Sequence, residues 1–451
     1  MELITSLNKQ NEFDLSELQQ LAFEKYCNKE NLFITGPGGS GKSALIKKIV
    51  EDATSKKIKV QVCGLTGCAA VLLTGCKAKT LHSFAGIGLA NGDNQIISFQ
   101  IATNKHKSKN WKKVDLLIID EVSMMSEKII ELLDLTAKKC RKNNDIFGGI
   151  QIIFSGDFFQ LPPVGNNSDP STTNFCFESP KFNELFPKEN QIYFKKIFRQ
   201  KDPLYSKILN QIRVGKMSPN SIATLNSCVG KKVPITSEIK PTIILPLKKM
   251  VDKINQDSLE KLETQEFYFD SKCVNSTPDT ETSKTIPKSQ IKSEFQYLES
   301  NTSVNKRLVL KKKAQVMCIA NLNQYDEEDM ICNGSQGIVV DFQEHTGFPI
   351  VKFRNGTQKV MSPHSWESEQ FPSLSLQQIP LILSWAITIH KAQGASIEVA
   401  EIDVGNNIFA AGQTYVALSR VVSLDGLYLR NFDYKKIKVN KKVKLFYENL
   451  L

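Results

Sequence analysis

Short apolar runs alternate with longer amphipathic stretches in the first part of the chain. The candidate strands are Leu32 to Thr35, Val60 to Leu65, Leu116 to Asp120 and Ile150 to Ser155, and helical patterns lie between them. Buried parallel strands read as nearly continuous apolar runs because helices cover both faces of their sheet. The pattern therefore predicts an α/β domain with a parallel sheet up to about residue 165.

A second alternating region begins much later. Apolar runs at Thr242 to Leu245, Leu381 to Ile387 and Val399 to Val404 indicate another sheet domain with a long insertion. Within the insertion, residues 271–303 are rich in polar residues and proline, which predicts a flexible linker. Arg307 to Trp366 contains short β-like segments separated by glycine-rich turns, which fits a small barrel.

Two lysine-rich stretches have open interpretations. Residues 105–113 predict a small excursion from the first sheet, either a solvated loop or a DNA contact. The stretch from Tyr434 to Lys444 predicts a solvated face, with phosphate contact as a further option. The net charge of +11 favours an anionic partner, although lysine-rich surfaces also serve solubility.

The composition excludes several classes of protein. A chain of 451 residues is too long for one ordinary core, and none of its apolar runs approaches the length of a bilayer span. Met1 to Asp14 carries three acidic residues and no arginine, unlike a secretory signal or mitochondrial presequence. Ten scattered cysteines, the closest being Cys63 and Cys68, predict buried thiols rather than a structural metal site.

A phosphate-binding loop lies between the first candidate strand and the following helical pattern. It consists of Gly36, Pro37, Gly38, Gly39, Ser40, Gly41, Lys42 and Ser43. Glycines let backbone amides face phosphate oxygens, and the helix presents its positive dipole end to the same anion. Lys42 is expected to reach the β- and γ-phosphates and Ser43 to bind Mg²⁺, so the loop predicts a nucleoside triphosphate site.

Polar residues follow two further strands of the first sheet. Asp120 is expected to orient Mg²⁺, and Glu121 to accept a proton from the attacking water, although two such acids can also cap a helix. Gln160, in the run that begins at Gly156, can sense the γ-phosphate or position water because ligands gather at this sheet edge. A surface role is the alternative for Gln160.

An ordered set of motifs resembles the PIF (petite integration frequency) family of DNA helicases, in the RecD-like branch of helicase superfamily 1. The motifs begin at Leu15-Ser-Glu-Leu-Gln19, Thr80-Leu-His-Ser-Phe-Ala-Gly-Ile-Gly-Leu89, Asp120-Glu-Val-Ser-Met124 and Phe147-Gly-Gly-Ile-Gln151, and continue at Phe198-Arg-Gln200, Leu209-Asn-Gln-Ile-Arg213, Thr388-Ile-His-Lys-Ala-Gln-Gly394 and Tyr415-Val-Ala-Leu-Ser-Arg420. The helical stretch from Leu132 to Asn144 also resembles a family segment.

The resemblance implies two RecA-like domains with parallel sheets and an SH3-like barrel inserted in the second. The expected divisions are residues 1–196 with an excursion near 87–113 for the first domain, 197–265 and 376–433 for the second, 266–306 for a flexible linker, 307–375 for the barrel, and 434–451 for a basic tail. The long N-terminal extension of many relatives is missing from this sequence.

The resemblance also implies roles for particular residues. Gln19 would read adenine, and Arg199 and Arg420 would reach the phosphates from the second domain, with structural ion pairs as their alternative. The residues expected to face a single strand are Thr66, His82, Ser83, Phe84, His390, Lys391 and Gln393. For Phe84, base stacking and a place in the core are equally open.

The implied function is ATP- and Mg²⁺-dependent 5′-to-3′ unwinding of DNA in replication, repair, recombination or telomere maintenance. The expected partners are single-stranded DNA and single-strand to duplex junctions, without a membrane, and the protein is expected to be a soluble monomer in the nucleus or at a cytoplasmic site of DNA replication. An RNA-directed superfamily 1 helicase or another RecD-like translocase is the nearest alternative. An NTP-driven switch without unwinding is the alternative of a different class.

Overall fold

The computed structural model describes the chain outside residues 1–14, 66–75, 77, 89, 91, 167, 201, 233–239, 277–286, 303, 321, 323–330, 332–333, 369–370, 372, 396 and 451. The strands are β1 Leu32–Thr35, β2 Val60–Gly64, β3 Lys79–Thr80, β4 Leu116–Asp120, β5 Gln151–Gly156, β6 Gln191–Tyr193, β7 Thr242–Leu245, β8 Phe267–Asp270, β9 Lys272–Asn275, β10 Arg307–Leu310, β11 Gln315–Cys318, β12 Gln336–Phe342, β13 Pro349–Phe353, β14 Gln358–Val360, β15 His364–Glu367, β16 Leu374–Gln378, β17 Leu381–Leu383, β18 Ala386–Thr388, β19 Ala400–Val404 and β20 Leu427–Phe432.

The described α-helices are α1 Glu17–Cys27, α2 Lys42–Ser55, α3 Leu81–Ala85, α4 Asn94–Thr103, α5 Lys105–Lys113, α6 Glu127–Arg141, α7 Pro180–Leu185, α8 Pro203–Val214, α9 Pro219–Ser227, α10 Lys248–Glu260, α11 Lys288–Asn301, α12 Ile389–Ala392, α13 Gln413–Leu418 and α14 Lys441–Leu450. Each α/β domain alternates these helices with parallel strands, as the hydrophobic pattern predicts.

The first domain has a six-stranded parallel sheet in the order β3-β2-β4-β5-β1-β6. Successive residues of β1 point to opposite faces: Leu32 and Ile34 pack with α1 and α2, whereas Phe33 joins the core on the other face. Both faces are therefore covered by helices, and the predicted parallel sheet is confirmed.

The second domain has a four-stranded parallel sheet in the order β18-β7-β19-β20. The predicted single run from Leu381 to Ile387 divides into β17 and β18, which belong to different sheets. Ser384 and Trp385 separate the two strands, and a run of apolar residues alone does not reveal such a break.

The insertion has its own apolar core, and its strands begin before the predicted barrel, 307–375. β11 to β14 form an antiparallel sheet with β17, whereas β15 and β16 pair with β9 in a separate three-stranded sheet. The strands that complete these sheets thus come from the segments assigned to the linker and to the second domain. The SH3-like form of the barrel stays a prediction.

The predicted flexible linker, 266–306, is wrong for its described part, which contains β8, β9 and α11. α11 packs through one face, where Leu298 is buried and Glu294 accepts a hydrogen bond of 2.7 Å from the Ser368 hydroxyl. With Ile291, these residues follow helical spacing, but polar neighbours mask the pattern in the sequence.

The basic stretch 105–113 lies in the predicted excursion from the first sheet, but it is not a solvated loop. It forms α5, whose buried Trp111 donates through Nε1 to the carbonyl oxygen of Ala85 at 3.1 Å. Trp111 anchors the helix, Lys107 is half-buried beside the cavity that contains His82, and the other four lysines are exposed.

The predicted basic tail, 434–451, is wrong as a free tail, whereas most lysines of the predicted solvated face from Tyr434 to Lys444 are exposed. The last part of residues 434–451 is α14, which returns to the first domain and buries Val443 and Tyr447. Phe446 packs against the phenylalanines of the first core, with ring centroids 4.5 Å from Phe177 and 5.4 Å from Phe158. Because the helix is rich in lysine, its sequence pattern predicts a tail rather than a docked amphipathic helix.

Candidate nucleotide-binding cleft

The phosphate loop joins β1 to α2, and β1 lies between β5 and the edge strand β6 of the first sheet. Gly41 has φ +86° and precedes α2 without a side-chain cap, so the first amides of the helix face the loop. Gly39 has φ +80°, and a Cβ there would lie 2.4 Å from the Cβ atom of Arg199. Glycine is required at this position because any side chain would add both strain and a clash.

Lys42 folds into the loop. Its Nζ donates to the carbonyl oxygens of Gly36 at 2.8 Å and Pro37 at 3.1 Å. Burial lowers the pKa of Lys42, and nearby carboxylates, above all Asp157, oppose that shift. The ammonium group is placed where a β- or γ-phosphate would lie in a loop of this type.

Asp120 and Glu121 lie at the carboxyl end of β4. Burial, followed by the charge of Glu121, raises the pKa of Asp120 to about 6. Glu121 has φ +57°, a backbone conformation that residues with a Cβ rarely adopt and that is concentrated at functional sites. The two acids therefore occupy different environments although they are adjacent in sequence.

Gln160 and Gln393 meet at Glu121. Nε2 of Gln393 donates to Oε2 of Glu121 at 3.2 Å and lies 3.5 Å from Oε1 of Gln160. The structure thus brings Gln393, predicted to face DNA, into the cleft. The short helix α12 ends at Ala392, so Gln393 points away from the direction of His390 and Lys391.

Arg420 and Tyr415 reach the phosphate loop from the second domain. The backbone amide of Gly38 donates to the Tyr415 hydroxyl at 2.9 Å, and Arg420 is buried beside it. Arg420 donates through Nε to the Val416 carbonyl oxygen at 2.9 Å. Burial, and then the charge of Arg199, lowers the pKa of Arg420 to about 10. Two guanidinium groups are therefore near each other at one end of the loop.

Arg199 lies in the segment between β6 and α8 rather than within the second sheet. The backbone amide of Phe198, its neighbour, donates to the Gly39 carbonyl oxygen at 2.8 Å, which holds this segment against the phosphate loop. Burial lowers the pKa of Arg199, and the Glu121 carboxylate opposes the shift.

Gln19 lies beside the end of the phosphate loop. Its Nε2 donates to the Gly41 carbonyl oxygen at 3.2 Å, and its Oε1 accepts from the Ser16 amide at 2.9 Å. The position of Gln19 next to the loop agrees with a contact to the nucleotide. Recognition of the adenine base by Gln19 stays a prediction.

The residues of the cleft fit a nucleoside triphosphate with Mg²⁺. Within the described ranges, His, Cys, Asp and Glu side chains form no group of three that could hold a metal ion alone. Mg²⁺ suits such a place, because it keeps several waters and takes one or two protein ligands plus substrate phosphates. Ser43 and Asp120 are the residues that would hold it.

Two adjoining cavities, both lined in part by Thr302, run beside the cleft. One, of about 720 Å³, includes His82 and Ser83 with Trp366 of the insertion, and the other, of about 800 Å³, includes His390 and Lys391. We call the two together the groove. Burial lowers the pKa of His82 and that of His390, which favours the neutral imidazole.

Two other residues predicted to contact DNA have different outcomes. Phe84 is 2% exposed and packs against Trp111, with ring centroids 5.2 Å apart, so base stacking by this ring is wrong for the described structure. Thr66 lies outside the described residues.

Three residues at the cleft had no predicted role: Asp157, Arg213 and Tyr447. Arg213 donates to both carboxylate oxygens of Asp157 at 2.8 Å. Burial alone would lower the pKa of Arg213, but the charge and hydrogen bonds of Asp157 raise it well above its ordinary value. Asp157 follows Gly156 and Arg213 ends the motif that begins at Leu209, so the two residues are far apart in the sequence. Sequence patterns therefore do not reveal that they pair.

A phosphate loop that receives arginines from a neighbouring parallel-sheet domain defines a two-domain, RecA-like P-loop NTPase. Residues 14–221 match the family described as PIF1-like helicase, and residues 295–342 match the 2B domain of the DNA helicase Pif1. The chain belongs to the PIF1-like helicase family.

Individual relatives cover most of the chain. The ATP-dependent DNA helicase PIF1 of Danio rerio is 34% identical over 97% of this chain, which spans 64% of that protein. The crystal structure of Pif1 helicase from Candida albicans is 32% identical, with a TM-score of 0.82, and covers 97% of this chain and 100% of that one. The structure of Bacteroides Pif1 bound to ssDNA is 26% identical to this chain, with a TM-score of 0.70. The match covers 97% of this chain and 96% of the Bacteroides chain.

Proposed function

We propose that this chain is an ATP-dependent DNA helicase that moves 5′ to 3′ on single-stranded DNA and unwinds duplex or structured DNA. The main support is the convergence of Arg199, Tyr415 and Arg420 on the phosphate loop, beside a groove that joins both domains. Because these side chains come from outside the first sheet, closure of the cleft and stabilisation of phosphate charge occur together. Hydrolysis is thereby tied to domain movement.

The residues of the cleft divide the chemical work. Glu121 accepts the proton of the attacking water, and the amide of Gln393 holds its carboxylate in place. Lys42, Arg199 and Arg420 balance charge that develops on the transferred phosphoryl group. Mg²⁺, held through Ser43 and Asp120, supplies further positive charge when it is bound.

The groove is the proposed path of the single strand. His82 and Ser83 lie on the first domain, and His390 and Lys391 lie on the second. Single-stranded DNA in the groove would therefore contact both domains. The Bacteroides relative is bound to ssDNA, which supports the same ligand here. We extend the proposal to single-strand to duplex junctions, to action as a monomer, and to a role in DNA replication, repair or recombination.

No helix in the described part of the chain has the length and apolar character needed to cross a bilayer.

The decisive experiment measures ATP hydrolysis with and without single-stranded DNA, followed by unwinding of duplexes with one 5′ tail or one 3′ tail. We expect DNA-stimulated hydrolysis and unwinding only from the 5′ tail. Glu121→Gln is the matched control, because it keeps the shape of the side chain and removes the base. Hydrolysis without unwinding would favour a switch, unwinding from the 3′ tail would reverse the polarity, and an RNA loading strand tests the RNA-directed alternative.

A further inference from the structure

The Tyr447 hydroxyl lies between two loops of the cleft. It is 2.5 Å from Oγ1 of Thr35, the last residue of β1, and it accepts a hydrogen bond of 3.1 Å from the Phe158 amide. It also donates to Oδ1 of Asp157 at 3.3 Å. A residue from the helix α14 thus touches both the strand that leads into the phosphate loop and the turn that follows β5.

These three contacts use the whole hydrogen-bonding capacity of the hydroxyl. A phenol has one proton to donate and two lone pairs. With Thr35 and Phe158 as donors, both lone pairs are used, and the proton remains for Asp157. A fully satisfied buried hydroxyl fixes its partners, because any shift of one of them leaves a polar group without a partner.

Packing holds the tyrosine ring in place independently of its hydroxyl. The ring is buried and stacks on Phe159, with centroids 4.7 Å apart and an angle of 14° between planes. Its neighbour Phe446 packs among the phenylalanines of the first core. Removal of the hydroxyl alone should therefore leave α14 docked.

The network continues to the residues of the reaction. Thr35 directly precedes Gly36 of the phosphate loop, and the amide of Gln160 donates to the Asp157 carbonyl oxygen at 2.9 Å. The hydroxyl thus adds a side-chain link between the turn that carries Gln160 and the phosphate loop, in addition to the pairing of β1 with β5, in which Thr35 is the partner of Gly156. Arg213 joins the same network from the second domain through Asp157.

We propose that Tyr447 is a positioning residue for ATP hydrolysis, holding the turn that carries Gln160 at a fixed distance from the phosphate loop. The proposal rests on the ATPase function proposed above. Tyr447 touches neither phosphate nor water in this role, so its loss should affect turnover more than nucleotide binding.

The test compares Tyr447→Phe with the parent in single-strand-stimulated ATP hydrolysis and in thermal unfolding. We expect kcat to fall about tenfold and KM for ATP to change less than about threefold. Phe446→Leu is the control for packing, because Phe446 contacts the rings of Phe158 and Tyr447 but makes none of the hydrogen bonds of the Tyr447 hydroxyl. It should lower the melting temperature and keep kcat close to the parent value.

Thr35→Val removes the facing hydroxyl with little change of shape and gives a second route to the same answer. We expect the same direction of change in kcat, and no further loss when Thr35→Val is combined with Tyr447→Phe, because Tyr447→Phe already removes the contact that Thr35→Val removes. An unchanged kcat in Tyr447→Phe and Thr35→Val, or an equal loss of kcat in Phe446→Leu, would overturn the proposal. A parent protein without DNA-stimulated hydrolysis would overturn the proposed function and this inference together.

Discussion

Breaking the buried ion pair of Arg213 and Asp157 should cost far more stability than breaking an exposed pair of similar geometry. The side chains are 4% and 0% exposed, and Arg213 donates to both carboxylate oxygens at 2.8 Å. Arg213 comes from α8, which packs with the second domain through the hydrogen bond between Tyr205 and the Leu418 carbonyl oxygen. The pair therefore crosses between the domains, and Arg213→Ala is the informative change.

The expected magnitude follows from what Asp157 retains. Its carboxylate would keep the Phe159 amide at 3.2 Å and the Tyr447 hydroxyl at 3.3 Å, both longer than charge-assisted hydrogen bonds. Loss of one partner from a buried pair typically costs about 3–5 kcal/mol. We expect Arg213→Ala to lower the free energy of unfolding by about 4 kcal/mol, since the remaining partners compensate little.

Urea denaturation with fluorescence detection measures this loss. Arg307→Ala is the matched control, because Arg307 also makes a two-pronged contact with Asp270, at 2.7 and 3.1 Å, but the two side chains are 64% and 56% exposed. The control should unfold close to the parent midpoint, since water screens an exposed pair.

Asp157→Ala, alone and combined with Arg213→Ala, completes a double-mutant cycle. We expect the double variant to be more stable than the sum of the single losses predicts, by about 2 kcal/mol, because it no longer contains an unpaired buried charge. Equal destabilisation by Arg213→Ala and Arg307→Ala, or additive losses in the cycle, would refute the reasoning.

Three further predictions concern the cleft. Arg420→Ala should reduce DNA-stimulated turnover by about 10³-fold with a smaller effect on ATP affinity, and Arg420→Lys should restore little, because a point charge cannot replace a planar guanidinium; steady-state kinetics and nucleotide binding test this. Gln393→Ala should lower turnover and leave single-strand affinity, measured by fluorescence anisotropy, near the parent value; a loss confined to DNA binding would contradict its place beside Glu121. The raised pKa of Asp120, about 6, means that the folded protein favours the protonated form of this carboxyl group. Asp120→Asn should therefore raise the melting temperature above pH 6 and have no effect on it below pH 4. A rise in melting temperature confined to acidic pH would refute this.

The sequence was sufficient to predict the strands that lead into the first-domain side of the cleft. β1 and β4 have the predicted bounds, because fully buried parallel strands are continuous apolar runs that end at polar or glycine residues. The phosphate loop and the acids Asp120 and Glu121 follow directly from those strand ends. Local sequence determines these features, so local patterns reveal them.

The sequence was insufficient where contacts join distant segments. Gln393 stands beside His390 and Lys391 in one motif, yet the end of α12 turns it towards Glu121, 272 residues away. Tyr447 follows a run of lysines, and only the partner surface on the first domain distinguishes a docked amphipathic helix from a solvated tail. The hydrophobic periodicity of such short elements does not show which surface they pack against.

The two passages of the chain between the sheet domains lie against the loops of the cleft. On the first passage, the Phe198 amide is bonded to Gly39 of the phosphate loop. On the second, the Lys438 carbonyl oxygen accepts from the Gly412 amide, and a Cβ on Gly412 would lie 2.3 Å from the carbonyl oxygen of Gln160. Because Gly412 precedes α13, which carries Tyr415 towards Gly38, the domains cannot move apart without changing contacts at both catalytic loops.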